Sequence, residues 1–355
     1  MNRSLSPFPS PLRTGGFSLV ELMIALVLGL LVIAGAGTVF LTNQQAYRTS
    51  QALSQVQESS RIAFELLSLD VRQAGASGCG NTDISIALND PDSLVWSDGF
   101  GIQGFEGNES SQDAAFGTSE GDRVADTDAI RLQGMEESGL SIDTHNSSAK
   151  ISTSENNDFQ PGEILMACDI QRASVFQVMS NPSNQNRVIT HGKGGGSHEP
   201  GNCSNGLVCK PPPDAPADCD ICKSPYDKNS SSSYWYYFPQ NAVIARLKDH
   251  LWYIGHNGRA EEGGRSLYRY SLQSGTEEIV AGVEDMQLRY KLPDVETWQT
   301  ASDITSDNDW RRVEAVEIRF TLASAARGIS TDPDAAEGRL RRQLTHVTAL
   351  RNRLE

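Results

Sequence analysis

Residues 17–41 hold a single charge, Glu21, in an otherwise apolar run. A helix over that stretch rises roughly 37 Å at the standard pitch, enough to cross a hydrocarbon core of about 30 Å. Beyond residue 41 polarity rises but the helical period persists. Ala46, Leu53, Val56, Ala63, Leu67, Val71 and Ala74 recur on one face, with Gln, Ser, Arg and Glu filling much of the other. No proline falls between residues 17 and 75. The pattern predicts one helix of about 58 residues: residues 17–41 need lipid or other subunits around them, and residues 42–75 need one packing surface. Gly75 and Gly78 end it.

After residue 75 short apolar stretches alternate with Gly, Asn, Asp and Ser. Strands are expected at 129–133, 163–168, 174–179, 234–238, 243–247, 251–254, 266–271, 286–290 and 313–322. In the last, Val316, Ile318, Phe320 and Leu322 alternate with Glu317, Arg319 and Thr321, the pattern of a half-buried antiparallel strand. One long helix followed by many short strands predicts an α+β fold.

Charge narrows the partners. The chain has 355 residues and a formal net charge of -15, the opposite of the basic face a nucleic-acid binder needs. Arg3 and Arg13 precede the apolar run with no acid beside them. That asymmetry keeps the N-terminus cytoplasmic and sends the larger part across the membrane. A cleaved secretory signal is a competing reading, but its apolar region is shorter, about 7–15 residues.

No reacting constellation stands out. G-x-S-x-G, H-E-x-x-H and Walker A patterns are absent. His145, His250, His256 and His346 form no ligand-like helical pair, and Glu261-Glu262 and Glu277-Glu278 read as solvated surface. Residues 303–309 (DITSDND) lack the glycine and spacing of an EF-hand loop. The run YWYYF at 234–238 reads as strand core or as an exposed adhesive patch. Arg339, Arg341, Arg342, Arg351 and Arg353 in the tail either meet an acidic partner or form the wet face of a closing strand. The expectation is a non-enzymatic protein with no cofactor.

Glu21 can sit at the headgroup level, where a carboxylate is tolerated. Its neighbours give it a second reading. Gly16-Phe17-Ser18-Leu19-Val20-Glu21, opening a long apolar helix, resembles the class III signal of type IV prepilins and pseudopilins. The resemblance implies cleavage by a membrane-embedded prepilin peptidase between Gly16 and Phe17, with N-methylation of Phe17. Residues 1–16 are then a leader. Glu21 becomes the fifth residue of the processed chain, able to pair with the new amine of a neighbouring subunit. Each of those charges is costly to bury alone.

A narrower resemblance runs through the exported part. DVRQAGASGCG (70–80), GEILMACDIQRASVFQVM (162–179), SLYRYS (266–271), EEIVAGVEDMQLRY (277–290) and LRRQLTHVTALRNRL (340–354) are similar, in that order, to PilW-type minor pilins. The domain 76–355 is then a periplasmic, pilin-like antiparallel β-sheet domain packed on the helix.

Residues 191–233, rich in Gly, Pro and Ser, read as a loop insertion. They hold Cys203, Cys209, Cys219 and Cys222 as C-x5-C-x9-C-x2-C. Two disulfides suit an exported chain, with three possible connectivities; a zinc tetrad is the alternative. If these four pair among themselves, Cys79 and Cys168 remain to join the helix end to the strand core.

The resemblance implies a minor pilin that primes or caps filament assembly near the tip of a type IV pilus and supports twitching motility. The implied partners are other minor pilins, the major pilin, the prepilin peptidase, the inner-membrane assembly platform and a tip adhesin. The alternatives are a type II secretion pseudopilin, or a membrane-anchored periplasmic binding module or enzyme.

Overall fold

A computed structural model describes residues 16, 18–75, 78–79, 84–89, 101–111, 113–136, 139–181, 186–195, 198–209, 221–222, 235–271, 274–332 and 336–353. The chain divides into two units, Met1–Ala52 and Leu53–Glu355.

A single helix, α1 (Leu19–Gln73), enters both units. In the first unit every residue from Leu19 to Leu41 is exposed, apolar side chains included. Gly29, Gly35 and Gly37 have open space where a Cβ would stand.

In the second unit the predicted stripe is buried at Val56, Ala63, Leu67, Val71 and Ala74. Ala46, which shares the period, is exposed and belongs to the first unit. Gly75 adopts a left-handed conformation (φ 73°), and its N–H donates to the Gln133 carbonyl at 2.8 Å. Only glycine enters that region without strain, so the turn ends the helix where the sequence placed its end.

Among the described residues fourteen strands follow. They are β1 (Ile84–Ile86), β2 (Ile102–Phe105), β3 (Ala129–Met135), β4 (Ile142–Asn146), β5 (Lys150–Thr153), β6 (Ile164–Cys168), β7 (Ala173–Gln177), β8 (Val188–Thr190), β9 (Val243–His256), β10 (Arg265–Ser271), β11 (Gly275–Ala281), β12 (Val283–Lys291), β13 (Ala315–Ala323) and β14 (Arg341–Ala349). A second helix, α2 (Asp307–Arg311), is one short turn. The class is α+β, as expected.

The main sheet runs β1-β7-β6-β9-β10-β11, with β3 also pairing β9 and β2 pairing β3. All its pairs are antiparallel except β1 with β7. Two smaller antiparallel sheets are β12-β13-β14 and β4-β5-β8. The inner face of β12-β13-β14 carries Met286, Leu288, Ile318 and Phe320 into one core with Val56, Ala63, Leu67 and Val71 of α1. Phe64 tilts against Phe320 at 4.9 Å between ring centres, and Thr348 Oγ1 donates to Ser68 Oγ at 2.9 Å.

Two expectations need correction. The strands expected at 243–247 and 251–254 are one strand, β9: Lys248, Asp249 and His250 carry hydrogen-bond and ion-pair partners, so polar residues continue the ladder rather than break it. The stretch 234–238 is not a strand. Tyr234 lies outside the described residues, and Trp235 makes a single bridge to Cys209. Trp235 and Phe238 are nonetheless buried, with Tyr236 and Tyr237 packed beside them, so the run is core and not an exposed patch.

The insertion, in its described part, is woven into the second core. Asn202 Nδ2 donates to the carbonyls of Gln177 and His191, and its Oδ1 accepts the Gln177 N–H at 2.8 Å. Leu207, Val208 and Ile221 are buried.

Candidate assembly helix and its anchorage

The first residues to place are those of the expected signal. Gly16 is exposed, and Phe17 lies outside the described residues. Ser18 stands just before the first helical residue and Glu21 in the first turn. They bond reciprocally: the Glu21 N–H donates to Ser18 Oγ at 3.2 Å, and the Ser18 N–H donates to Glu21 Oε2 at 3.4 Å. This is a capping box, which satisfies two of the N–H groups a helix start leaves open. The sequence reading took Glu21 as a charge at the headgroup level or as an ionic partner, not as a cap. The signal for that role was present, since Ser-x-x-Glu before an apolar run is the signature of such a cap. The cap also fixes the carboxylate beside the backbone N–H next to Phe17, and a negative group there suits the positive end of the helix dipole.

Among the described residues, α1 is the one helix long and apolar enough to cross a membrane.

Within the second unit the far end of α1 is held by charge. Asp70 is 5% exposed. Its Oδ1 meets Lys248 Nζ at 2.6 Å, while Oδ2 accepts from Trp252 Nε1 at 2.8 Å and lies 2.7 Å from His250 Nδ1. Three alternate residues of β9 thus converge on one carboxylate, as a strand's period of two requires. Beyond the helix, the Cys79–Cys168 disulfide joins its end to β6, the pairing expected from the sequence.

In the insertion Cys203 is bonded to Cys222. Cys209 is disulfide-bonded too, and Cys219 lies outside the described residues. The Cys203–Cys222 bond selects among the three connectivities. It also leaves no thiolate for zinc among the described cysteines.

In the acidic stretch 303–309, Asp303 and Ser306 are engaged in local capping. The Asp303 carboxylate accepts the Thr300 N–H at 2.9 Å, which holds its carboxyl below the usual range. Ser306 caps α2 by accepting from the Asp309 N–H at 3.2 Å.

One constellation had no signal in the sequence. His145 on β4 and His191, just after β8, face each other with Nε2 atoms 3.0 Å apart. The Phe238 N–H donates to His145 Nδ1 at 3.1 Å. His145 therefore carries its proton on Nε2 and donates it to His191, whose own proton sits on Nδ1. Burial pushes His145 down to about 4, and burial together with His145 pushes His191 well below its ordinary value.

The tail arginines divide. Arg339 donates to the carbonyls of Ala260, Glu261, Ser324 and Ala325, and Arg353 to those of Trp310 and Val313. They are loop anchors, whereas Arg341, Arg342 and Arg351 are exposed.

Two family matches coincide with these features. Residues 12–37 match the prokaryotic N-terminal methylation motif, the segment with the capped Glu21 and the exposed apolar helix. Residues 252–352 match the family described as type IV pilus-assembly protein W, the segment from the second half of β9 through β14. No curated protein and no solved structure matches the chain. With a methylation-motif segment at the start of α1 and a PilW-family segment forming the sheet against that helix's last turns, the two matched segments make the chain similar to type IV pilin-like, PilW-type proteins.

Proposed function

We propose that the chain is a minor pilin of a type IV pilus that primes or caps filament assembly near the tip and is not an enzyme. Prepilin peptidase cuts after Gly16, Phe17 is N-methylated, and the apolar half of α1 waits in the inner membrane with the larger unit on the periplasmic side. Assembly moves that helix from lipid into a bundle of like helices, where Glu21 pairs with the methylated amine of a neighbour. The work is non-covalent: apolar surface leaves lipid for packed side chains, and paired charges set the register.

One observation carries this reading. From Leu19 to Leu41 α1 exposes apolar side chains on every face, and its one carboxylate stands at the helix start, held by its own cap. A helix built for its own domain buries one stripe; this segment buries none of its apolar residues.

The test compares Glu21→Ala with the parent chain in cells that make pili. The variant is expected to lose the leader normally and reach the membrane, yet to fall at least tenfold in the sheared-filament fraction. Recovery from that fraction at the parental level would overturn the reading.

A further inference from the structure

The last strand of the β12-β13-β14 sheet ends in solvent. Arg341 through Val347 are exposed without interruption, although β13 beside them buries alternate residues. Leu344 lies opposite the buried Phe320 and His346 opposite Ile318, so both point to the face that α1 covers. Phe64 reaches His346 at 5.5 Å between rings, but Leu344 keeps 37% of its surface exposed. On the other face Val347 is 50% exposed. Exposed apolar side chains on both faces thus border an edge that no strand pairs with among the described residues.

The backbone of that edge is open as well. Bonds from Ser324 N–H to the Leu340 carbonyl and from Leu350 N–H to the Glu314 carbonyl flank the β13–β14 ladder. Antiparallel ladders alternate bonded and outward residues, so even-numbered residues of β14 face β13 and odd-numbered ones face out. Gln343, Thr345 and Val347 each turn an N–H and a C=O away from the sheet, and no hydrogen bond among the described residues meets them. Such an edge is a template for another strand.

Charge selects which strand. Arg342 near one end of β14 and Arg351 just past the other make no ion pair among the described residues. Arg72, one turn beyond the Ser68 that meets Thr348, adds a third positive group at the Arg351 end. A second copy is disfavoured. Paired antiparallel, two β14 edges set Arg342 of one near Arg351 of the other; paired parallel, they set like beside like. The β11 edge of the main sheet differs, because there Glu277 and Glu278 are already matched by Arg269 and Arg259.

We propose that β14 receives an extended strand from a different protein subunit, one with carboxylates at both ends. The strand adds to the sheet beside α1 and bonds Gln343, Thr345 and Val347. Positive ends repel unsuitable edges and favour an acidic one, so the same residues guard the edge and choose its partner.

The probe is a synthetic nine-residue peptide of alternating valine and threonine with two glutamates added at each end. Its control carries lysines instead. Binding to the full chain in detergent micelles is read by fluorescence anisotropy. The glutamate peptide is expected to bind at least tenfold more tightly than the lysine peptide. Val347→Pro removes an outward N–H that β13 does not use, a place where an edge strand tolerates proline; it should abolish binding while keeping the parental circular dichroism. R342E/R351E leaves the backbone untouched and should reverse the preference between the peptides. The proposal is overturned if neither peptide binds, if both bind alike, if R342E/R351E leaves the preference intact, or if the chain alone dimerises through this edge in a way Val347→Pro abolishes. N-terminal processing plays no part in this binding, so failure here leaves the assembly reading standing.

Discussion

Trp252 Nε1 donates to Asp70 Oδ2 at 2.8 Å across 182 residues of chain. The same carboxylate holds Lys248 and His250, so the last turns of α1 are fixed to β9 by one buried acid. The apolar stripe above it sets which face of the helix is buried, and the carboxylate sets its position along the strand.

Asp70→Ala leaves the buried indole N–H of Trp252 with no acceptor and Lys248 with Gln73 Oε1 in place of its counter-charge. Breaking a buried pair in this way costs about 3–5 kcal/mol. Urea unfolding of the variant should show a lower midpoint with an unchanged slope. A midpoint equal to the parent's would mean the cluster contributes nothing to holding the helix.

The Cys79–Cys168 bond spans 89 residues. Closing a loop of that size removes unfolded-state entropy equivalent to about 4–5 kcal/mol. The Cys79→Ser/Cys168→Ser double variant is therefore expected to unfold at markedly lower urea. The effect should match that of reducing this bond alone.

Gly104 on β2 is not needed for its φ. An added Cβ would stand 2.1 Å from Tyr290 Oη and 2.9 Å from the Trp310 ring, and Tyr290 is fully buried. Gly104→Ala should destabilise by about 1–3 kcal/mol through overpacking. Pairing it with Tyr290→Phe, which removes the crowded hydroxyl, should recover part of that loss in a double-mutant cycle.

Acid should weaken the second core through the histidine pair. Burial pushes His145 down to about 4, and burial together with His145 pushes His191 well below the ordinary 6.5. Below pH 6.5 the unfolded chain takes protons that the native pair refuses. Stability therefore falls as pH drops from 6.5 toward 4. Asp128 works in the opposite direction. Burial first, then the nearby acids Glu106 and Asp285, push its carboxyl up to about 6, so acid relieves it. The difference between parent and His191→Phe isolates the pair: the variant should lose less stability between pH 6.5 and 4.5. Parallel curves would mean the pair is not what titrates.

How much was legible follows from the range of each interaction. The exposed apolar helix, its amphipathic continuation and its glycine end were readable because a 3.6-residue period and a left-handed turn are local signals. The β6–β7 hairpin and the alternation of β13 were readable for the same reason. β14 was missing from the expected strands and met only through its arginines, as the wet face of a closing strand or a grip on an acidic partner, because Arg341 and Arg342 mask its period. β9 was split because its polar middle finds partners on α1 and β3, residues more than a hundred positions away. The histidine pair and the Asp70 cluster join distant segments and leave no mark in any window of sequence. The cap at Ser18 and Glu21 was in plain view, but the ionic role expected of Glu21 concealed it.

The account turns on the start of the mature chain. Filaments sheared from cells and digested should yield an N-terminal peptide whose mass places N-methylated Phe17 first. If the same filaments yield this chain with residues 1–16 still attached, the exposed helix is not entering the fibre as described, and the central claim is wrong.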